Sequence, residues 1–116
     1  MSLEQMMQLA PELWTCGQVH ADDFSDIAAK GFRTVINARP DHEAPDQPTS
    51  EVLAAAAEKA GLHYKYLPVI PNQIGEQDID QFAQYLEQLP KPVLTFCRTG
   101  NRVAQLWTLT KARDGL

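Results

Sequence analysis

The sequence predicts an α/β fold: a three-layer arrangement in which a mostly parallel sheet of four to five strands carries helices on both faces. Two observations predict it. Short apolar, β-branched segments alternate with segments whose apolar residues recur at helical spacing. The connections between these segments are short, which favours parallel strands joined through helices. With 116 residues, 44% of them hydrophobic, residues 1–116 are expected to form a single domain around one core.

The elements follow in order along the chain. The predicted strands are apolar runs bounded by turn residues: 13–16, 32–37, 63–69 and 92–96. The predicted helices are amphipathic segments: 22–30, 48–61, 77–89 and 101–113. Gly31 and Gly61 end the first two helices, and Pro90 ends the third. Pro68 places the third strand near an edge of the sheet, because proline cannot donate a hydrogen bond to a neighbouring strand.

Composition excludes several classes of function. The formal charge of −5 argues against a nucleic-acid partner, which would require a basic face. No stretch approaches the roughly 20 apolar residues of a membrane span, and no basic region precedes an apolar run at the N-terminus. We therefore expect a cytoplasmic protein without a membrane partner. The two cysteines and three histidines lack metal-ligand spacing, so we predict no metal and no cofactor.

The segment Cys97-Arg98-Thr99-Gly100-Asn101-Arg102 joins the last predicted strand to the last predicted helix. A thiol in this position faces the unpaired N–H groups of a helix N-terminus, which favours the reactive thiolate. Backbone N–H groups of such a turn can also surround an anion, and an arginine adds a planar fork of donors. We therefore predict Cys97 and Arg102 as catalytic residues. The anion-binding loop is predicted to contain Arg98, Thr99, Gly100 and Asn101.

The alternative is that Cys97 is a small hydrophobic residue of the core, as most buried cysteines are. For the other cysteine, Cys16, that interpretation is the favoured one, because no cationic residue surrounds it in the sequence. The two cysteines differ in their sequence neighbours. At Cys97, a strand, a glycine-containing turn, an arginine and a helix meet within one short segment, and this combination favours a reactive thiol there.

The longest polar connection, residues 38–47, also follows a predicted strand. It should therefore lie at the carboxyl edge of the sheet, near Cys97, where ligands of such sheets bind. Its candidate rim residues are Arg39, Asp41, His42 and Glu43. The alternative is a proline-rich surface loop without a role in the site. Residues 72–75, after the third strand, are a second candidate rim segment.

Four segments together resemble a known bacterial family: Gly17-Gln18, 31–37, Arg39-Pro40-Asp41 and 96–102. In these segments the chain resembles the phosphatase-like domain of the β-lactamase-hydrolase-like proteins, a family also described as a sulfur transferase family. The resemblance covers about residues 10–112. It implies a fold like that of the dual-specificity protein tyrosine phosphatases. It also implies a place in sulfide and persulfide metabolism, with a persulfide dioxygenase as a partner.

Two features of the sequence distinguish the chemistries that this resemblance implies. The phosphatase signature places five residues between its cysteine and its arginine, whereas four separate Cys97 from Arg102, the spacing of single-domain rhodaneses. The related phosphatases also carry an acidic residue in the loop that corresponds to residues 70–75, to protonate the leaving oxygen. That loop contains no acid here. Transfer of a sulfane sulfur between thiols does not need one.

The sequence therefore favours a cysteine-dependent sulfurtransferase. Cys97 would take a sulfane sulfur from a small anionic donor such as thiosulfate, and the resulting persulfide would pass it to a thiol acceptor. Two alternatives stay open. One is a phosphatase of the tyrosine or dual-specificity type with a Cys97 phosphoenzyme, for which Asp41 or Glu43 would have to supply the acid. The other is a non-catalytic module that binds anions or a partner protein.

Overall fold

The computed structural model describes residues 2–115, and it contains a five-stranded sheet. The strands are β1 (Met7–Ala10), β2 (Leu13–Cys16), β3 (Thr34–Asn37), β4 (His63–Tyr66) and β5 (Val93–Phe96). Their order across the sheet is β1-β2-β5-β3-β4. The pairing of β1 with β2 is antiparallel and the other pairings are parallel, so the predicted mostly parallel sheet is confirmed.

The first strand is not among the predicted elements. β1 pairs with β2 across a tight connection, and two of its four residues are exposed. An edge strand with one partner and a solvent-facing surface needs no continuous apolar run, so its sequence carries little strand signal. At the opposite edge, β4 is shorter than predicted. Beyond Tyr66, Leu67 and Val69 donate to the neighbouring segment, with Pro68 between them, as expected for an edge.

Within the described chain, four α-helices connect or follow the strands: α1 (Phe24–Ala29), α2 (Ser50–Lys59), α3 (Glu76–Gln88) and α4 (Asn101–Asp114). A short 3₁₀ helix, Ala21–Asp23, precedes α1 and overlaps the start of the predicted helix 22–30. The Thr49 hydroxyl accepts a hydrogen bond from the Val52 N–H and so caps α2. Within residues 2–115, no helix combines the length and the apolar character needed to cross a membrane.

The helices cover both faces of the sheet, which confirms the predicted three layers. α1 and α2 pack on one face, where Ile27 and Leu53 contact the cluster around Phe96. α3 and α4 pack on the other, where Phe82 and Leu106 join a second cluster. β3 and β5 are buried at every position because they have a strand on each side and helices above and below. Because β5 is buried on all sides, the position of the residue that follows it, at the carboxyl edge of the sheet, is fixed.

We expect replacement of Phe82 by alanine to destabilise the fold strongly. The ring is 1% exposed, and its removal leaves a cavity between α3 and the sheet, at a cost of about 3–5 kcal/mol. Urea unfolding followed by circular dichroism measures the difference. Gln77→Ala, on the exposed surface of the same helix, is the matched control and should change the unfolding free energy by no more than about 0.5 kcal/mol. Equal losses in the two variants would contradict the packing of α3 described above.

Candidate active site

Cys97 lies immediately after β5, at the floor of a small pocket. The thiol residue is 1% exposed and belongs to the cluster under α3 and α4. The pocket has a volume of about 250 Å³, and its lining residues come from two loops and α4: Pro71, Asn72, Cys97, Arg98, Thr99, Asn101, Arg102 and Gln105. A wider depression of about 900 Å³ lies between α1 and α2, but none of its described lining residues is a cysteine or a histidine. The small pocket is therefore the candidate site for nucleophilic chemistry.

The turn after Cys97 directs a donor at its sulfur. The Gly100 N–H donates to Cys97 Sγ at 3.0 Å, so one backbone donor of the turn points at the sulfur. Gly100 has a φ of +96°, a backbone conformation that residues other than glycine rarely adopt. The end of β2 supports the turn from behind, since Thr15 Oγ1 donates to the Gly100 carbonyl at 3.3 Å. The Gln18 N–H donates to the Arg98 carbonyl at 3.3 Å.

Arg102, in the first turn of α4, is held by acceptors on two other segments. Its Nη1 donates to Glu43 Oε2 and to the Val69 carbonyl, each at 3.0 Å. Its Nη2 donates to Glu43 Oε1 at 3.2 Å. The side chain is only 10% exposed. The guanidinium of Arg102 therefore has a fixed orientation beside the pocket that it lines.

Glu43 binds a second arginine as well. Arg39 Nε donates to Glu43 Oε1 at 3.0 Å, and Arg39 Nη1 donates to Gln18 Oε1 at 2.9 Å. Burial alone would raise the pKa of Glu43. Hydrogen bonds from Arg102 and Arg39, together with their charges, outweigh that effect and lower its pKa below the ordinary value. Glu43 is therefore ionised at neutral pH and has no proton to give to a leaving group.

None of the four predicted rim residues lines the pocket, and Asp41 and His42 do not contact Arg102 either. Asp41 Oδ1 accepts a hydrogen bond of 2.8 Å from the Ser50 N–H, so its carboxylate lies at the N-terminus of α2. His42 is exposed and has a φ of +69°. Of the predicted rim loop, the structure thus brings Arg39 and Glu43 to Arg102, and it places Asp41 and His42 elsewhere. From the second candidate rim segment, Asn72 lines the pocket.

Cys16 lies close in the sheet but faces the opposite way. It belongs to the cluster under α1 and α2, on the other side of the sheet from Cys97. Burial, with smaller contributions from the charges of Cys97 and Asp23, raises the pKa of Cys16 to about 12. Its thiol is therefore protonated and inert at neutral pH, in agreement with the core role expected from the sequence.

Three residues of the site escaped the sequence prediction, and one of them, Pro71, lines the pocket immediately before the second candidate rim segment. Gln105 lines the pocket on α4, one turn after Asn101 and Arg102. This position could have been derived, because residues three and four apart share a helix face. Gln18 contacts the site through Arg39 and through the Arg98 carbonyl. No local pattern marks that contact, since it depends on how β2 and β5 pair.

Comparison with known proteins supports a phosphatase-like domain. The chain is 37% identical over 111 residues to the beta-lactamase hydrolase-like protein of Xylella fastidiosa, an alignment that covers 96% of this chain and 26% of that protein. It spans about a quarter of the length of that relative. Among solved structures, a "putative phosphatase" of Neisseria meningitidis is 33% identical, with a TM-score of 0.87 over 95% of this chain and 78% of that chain.

A solved structure of lower sequence identity shows which fold the chain shares. A mutant form of Tk-PTP is 17% identical, with a TM-score of 0.63 over 82% of this chain and 61% of that chain, so it shares the protein tyrosine phosphatase-like fold that the resemblance implied. The comparisons give the predicted sulfur transfer no support. The family model for "Beta-lactamase hydrolase-like protein, phosphatase-like domain" matches residues 5–114. The chain therefore belongs to the family of phosphatase-like domains of β-lactamase hydrolase-like proteins.

Proposed function

We propose that this domain is a cysteine-dependent hydrolase of phosphate monoesters. The observation that carries the proposal is the arrangement around Cys97: its sulfur accepts the Gly100 N–H at 3.0 Å in a pocket that two arginines line. A nucleophile, oriented donors and a cavity for an anion are the elements that thiolate attack on a phosphoryl group requires. Membership in a phosphatase-like family supports this chemistry over the sulfur transfer that the sequence favoured.

The reaction has two steps. The Cys97 thiolate attacks phosphorus, the bond between phosphorus and the ester oxygen breaks, and its electron pair departs with that oxygen. Water then attacks the cysteinyl phosphate, releases inorganic phosphate and restores the thiolate. In both steps the negative charge on the phosphoryl oxygens is stabilised by N–H donors of the loop and by Arg102.

Arg98 has a different role from Arg102. Its side chain is exposed at the pocket, and within residues 2–115 it has no hydrogen-bond or ion-pair partner. A cation without a partner is available to attract an anionic substrate, which matters in a chain with a formal charge of −5. Arg98 therefore guides the anion to the pocket, and Arg102 binds it beside Cys97.

Within residues 2–115, the pocket lacks a general acid, and this absence determines the substrate class that we propose. None of its lining residues, within the described chain, is an aspartate or a glutamate. Glu43 is ionised, and the Asp41 carboxylate binds the Ser50 N–H at the start of α2, so neither rim carboxylate is suited to protonate a leaving oxygen. A leaving group must then depart as the anion. We therefore propose that aryl phosphates, whose phenolates are stable, are favoured over alkyl phosphates.

The rate of hydrolysis should depend steeply on the leaving group. An acid that protonates the leaving oxygen is worth roughly 10²–10⁴-fold, so alkyl phosphates should fall behind aryl phosphates by at least that factor. Steady-state kinetics with a series of substituted phenyl phosphates and one alkyl phosphate would measure this dependence. Cys97→Ser should abolish turnover of all of them. A shallow dependence, or turnover that survives Cys97→Ser, would contradict the proposed mechanism.

Gly100 and Gly31 offer a matched pair, since both have a φ of +96° but only Gly100 contacts the sulfur. Alanine at either position adopts an unfavourable backbone conformation, at a cost of roughly 1–3 kcal/mol. Both variants should therefore lose similar stability in thermal unfolding. Only Gly100→Ala should also lose kcat, because relief of the strain moves the N–H away from Cys97 Sγ. Equal kcat in the two variants would remove this N–H from the mechanism.

A second candidate function, sulfurtransferase, is favoured by two specific observations. Four residues separate Cys97 from Arg102, and the described lining of the pocket lacks an acid. In this case the thiolate attacks the outer sulfur of thiosulfate, sulfite departs with the electron pair of the broken S–S bond, and a Cys97 persulfide remains. An acceptor thiolate then takes the sulfur and releases Cys97. The donor, the acceptor thiol and a persulfide dioxygenase partner all belong to this candidate.

Intact mass spectrometry separates the two candidates. The phosphatase proposal predicts that an aryl phosphate adds one phosphoryl group to Cys97 and that thiosulfate adds no sulfur. Sulfur transfer predicts the reverse: one added sulfur atom, removed by cyanide and absent in Cys97→Ser. Detection of the sulfur adduct without any phosphoryl adduct would transfer the assignment to the second candidate.

A further inference from the structure

Arg102 retains one free edge. An arginine side chain carries five N–H bonds: one on Nε and two on each terminal nitrogen. Both N–H groups of Nη1 are used, by Glu43 and Val69, and one N–H of Nη2 is used by Glu43. Within the described chain, the Nε–H and the second Nη2–H remain. These two donors lie side by side, in the fork geometry that binds two oxygens of one oxyanion.

We propose that Glu43 is a positioning residue for Arg102, holding the guanidinium so that its Nε and Nη2 edge meets the substrate anion. This inference rests on the proposed function, in which Arg102 binds the phosphoryl oxygens. Both carboxylate oxygens of Glu43 contact Arg102, at 3.0 and 3.2 Å, and together with the Val69 carbonyl they fix the plane of the guanidinium. A guanidinium held in place loses little rotamer entropy when the anion binds.

Arg39 makes this arrangement compatible with anion binding. A glutamate paired with Arg102 alone would cancel its charge and weaken the attraction for a phosphoryl group. The cluster of Arg39, Glu43 and Arg102 instead carries a net charge of +1, because Glu43 shares its charge between both arginines. Arg39 is 6% exposed and is itself held by Gln18. A buried cation thus restores the positive charge of the site without entering the pocket.

The loop that carries Glu43 is attached to the fold just before this residue and is braced within itself at this residue. Before it, the Asp41 N–H donates to the Tyr66 hydroxyl at 2.9 Å, and the Asp41 carboxylate accepts from the Ser50 N–H. At Glu43 itself, the backbone N–H donates to Gln47 Oε1 at 3.1 Å. Glu43 is therefore preorganised, and its position does not depend on the bound anion.

The experiment compares Glu43→Gln with Glu51→Gln, a charge-matched change at an exposed position in the first turn of α2. A side-chain amide in place of the Glu43 carboxylate cannot accept from Arg102 with both of its terminal atoms. We expect kcat/KM for an aryl phosphate to fall about 10–100-fold, the loss typical of a charge-assisted donor, and to stay unchanged in Glu51→Gln. In the Cys97→Ser background, the affinity for inorganic phosphate should fall in parallel.

A second readout is independent of activity. Because the guanidinium of Arg102 is held in one orientation, its Nε–H should give a sharp NMR signal in wild type. The signal should broaden or disappear in Glu43→Gln, where the side chain is released, and persist in Glu51→Gln. Should wild type turn over no phosphate ester, the proposed function fails, and this signal still decides whether Glu43 positions Arg102. An unchanged signal with unchanged phosphate affinity in Glu43→Gln overturns the inference.

The single substitution removes one negative charge from between two arginines and so carries a risk of misfolding. The double variant Glu43→Gln/Arg39→Met removes one charge of each sign and keeps the net charge of the cluster. It should fold and still show the broadened Arg102 signal and the lost phosphate affinity, because Arg102 has lost its partner. A double variant with wild-type phosphate affinity would likewise overturn the inference.

Discussion

The pairing of β5 between β2 and β3 is the constraint on which the site depends. Val93–Phe96 is in parallel register with both neighbours at all four positions, and every one of these residues is buried. Buried backbone groups must be paired, so the three strands end at the same level of the sheet. The pairing extends one residue further, where the Cys97 N–H donates to the Cys16 carbonyl. The position of the proposed nucleophile is thus set by the rigid centre of the sheet, before any loop contributes.

In the proposed mechanism, the two arginines of the pocket serve two different purposes. Arg98 keeps an exposed, unpaired guanidinium within the described chain, whereas Arg102 is 10% exposed and held by three acceptor atoms. Mobility suits the capture of a diffusing anion, and a fixed fork suits the recognition of its shape. A single arginine could not do both, because a guanidinium held in one orientation cannot move to meet an approaching anion.

Much of this architecture follows from the sequence, because the apolar run before Cys97 and the helical spacing after it place the thiol at the carboxyl edge of the sheet. The contacts of the rim loop could not be derived in this way. Glu43 pairs with Arg102, 59 residues away, while Asp41 faces α2, and such pairings leave no periodic signal. The spacing of Cys97 and Arg102 indicates only how large the turn between them is. A turn of that size can bind a phosphate ester or a sulfur donor, so the spacing does not decide between the two reactions. Family membership, which reflects residues 5–114, favours the phosphatase-like interpretation instead.

The opposite orientation of the two cysteines determines how the domain would respond to oxidants. An oxidised thiolate is commonly protected when a neighbouring thiol condenses with its sulfenic acid to form a disulfide. Cys16 and Cys97 lie on different faces of the sheet, so their side chains cannot meet without movement of β2 or β5. Both are free, and no other cysteine exists in the chain. Repair of an oxidised Cys97 would therefore depend on a thiol from outside this domain, delivered through the same narrow pocket that is proposed to admit the substrate.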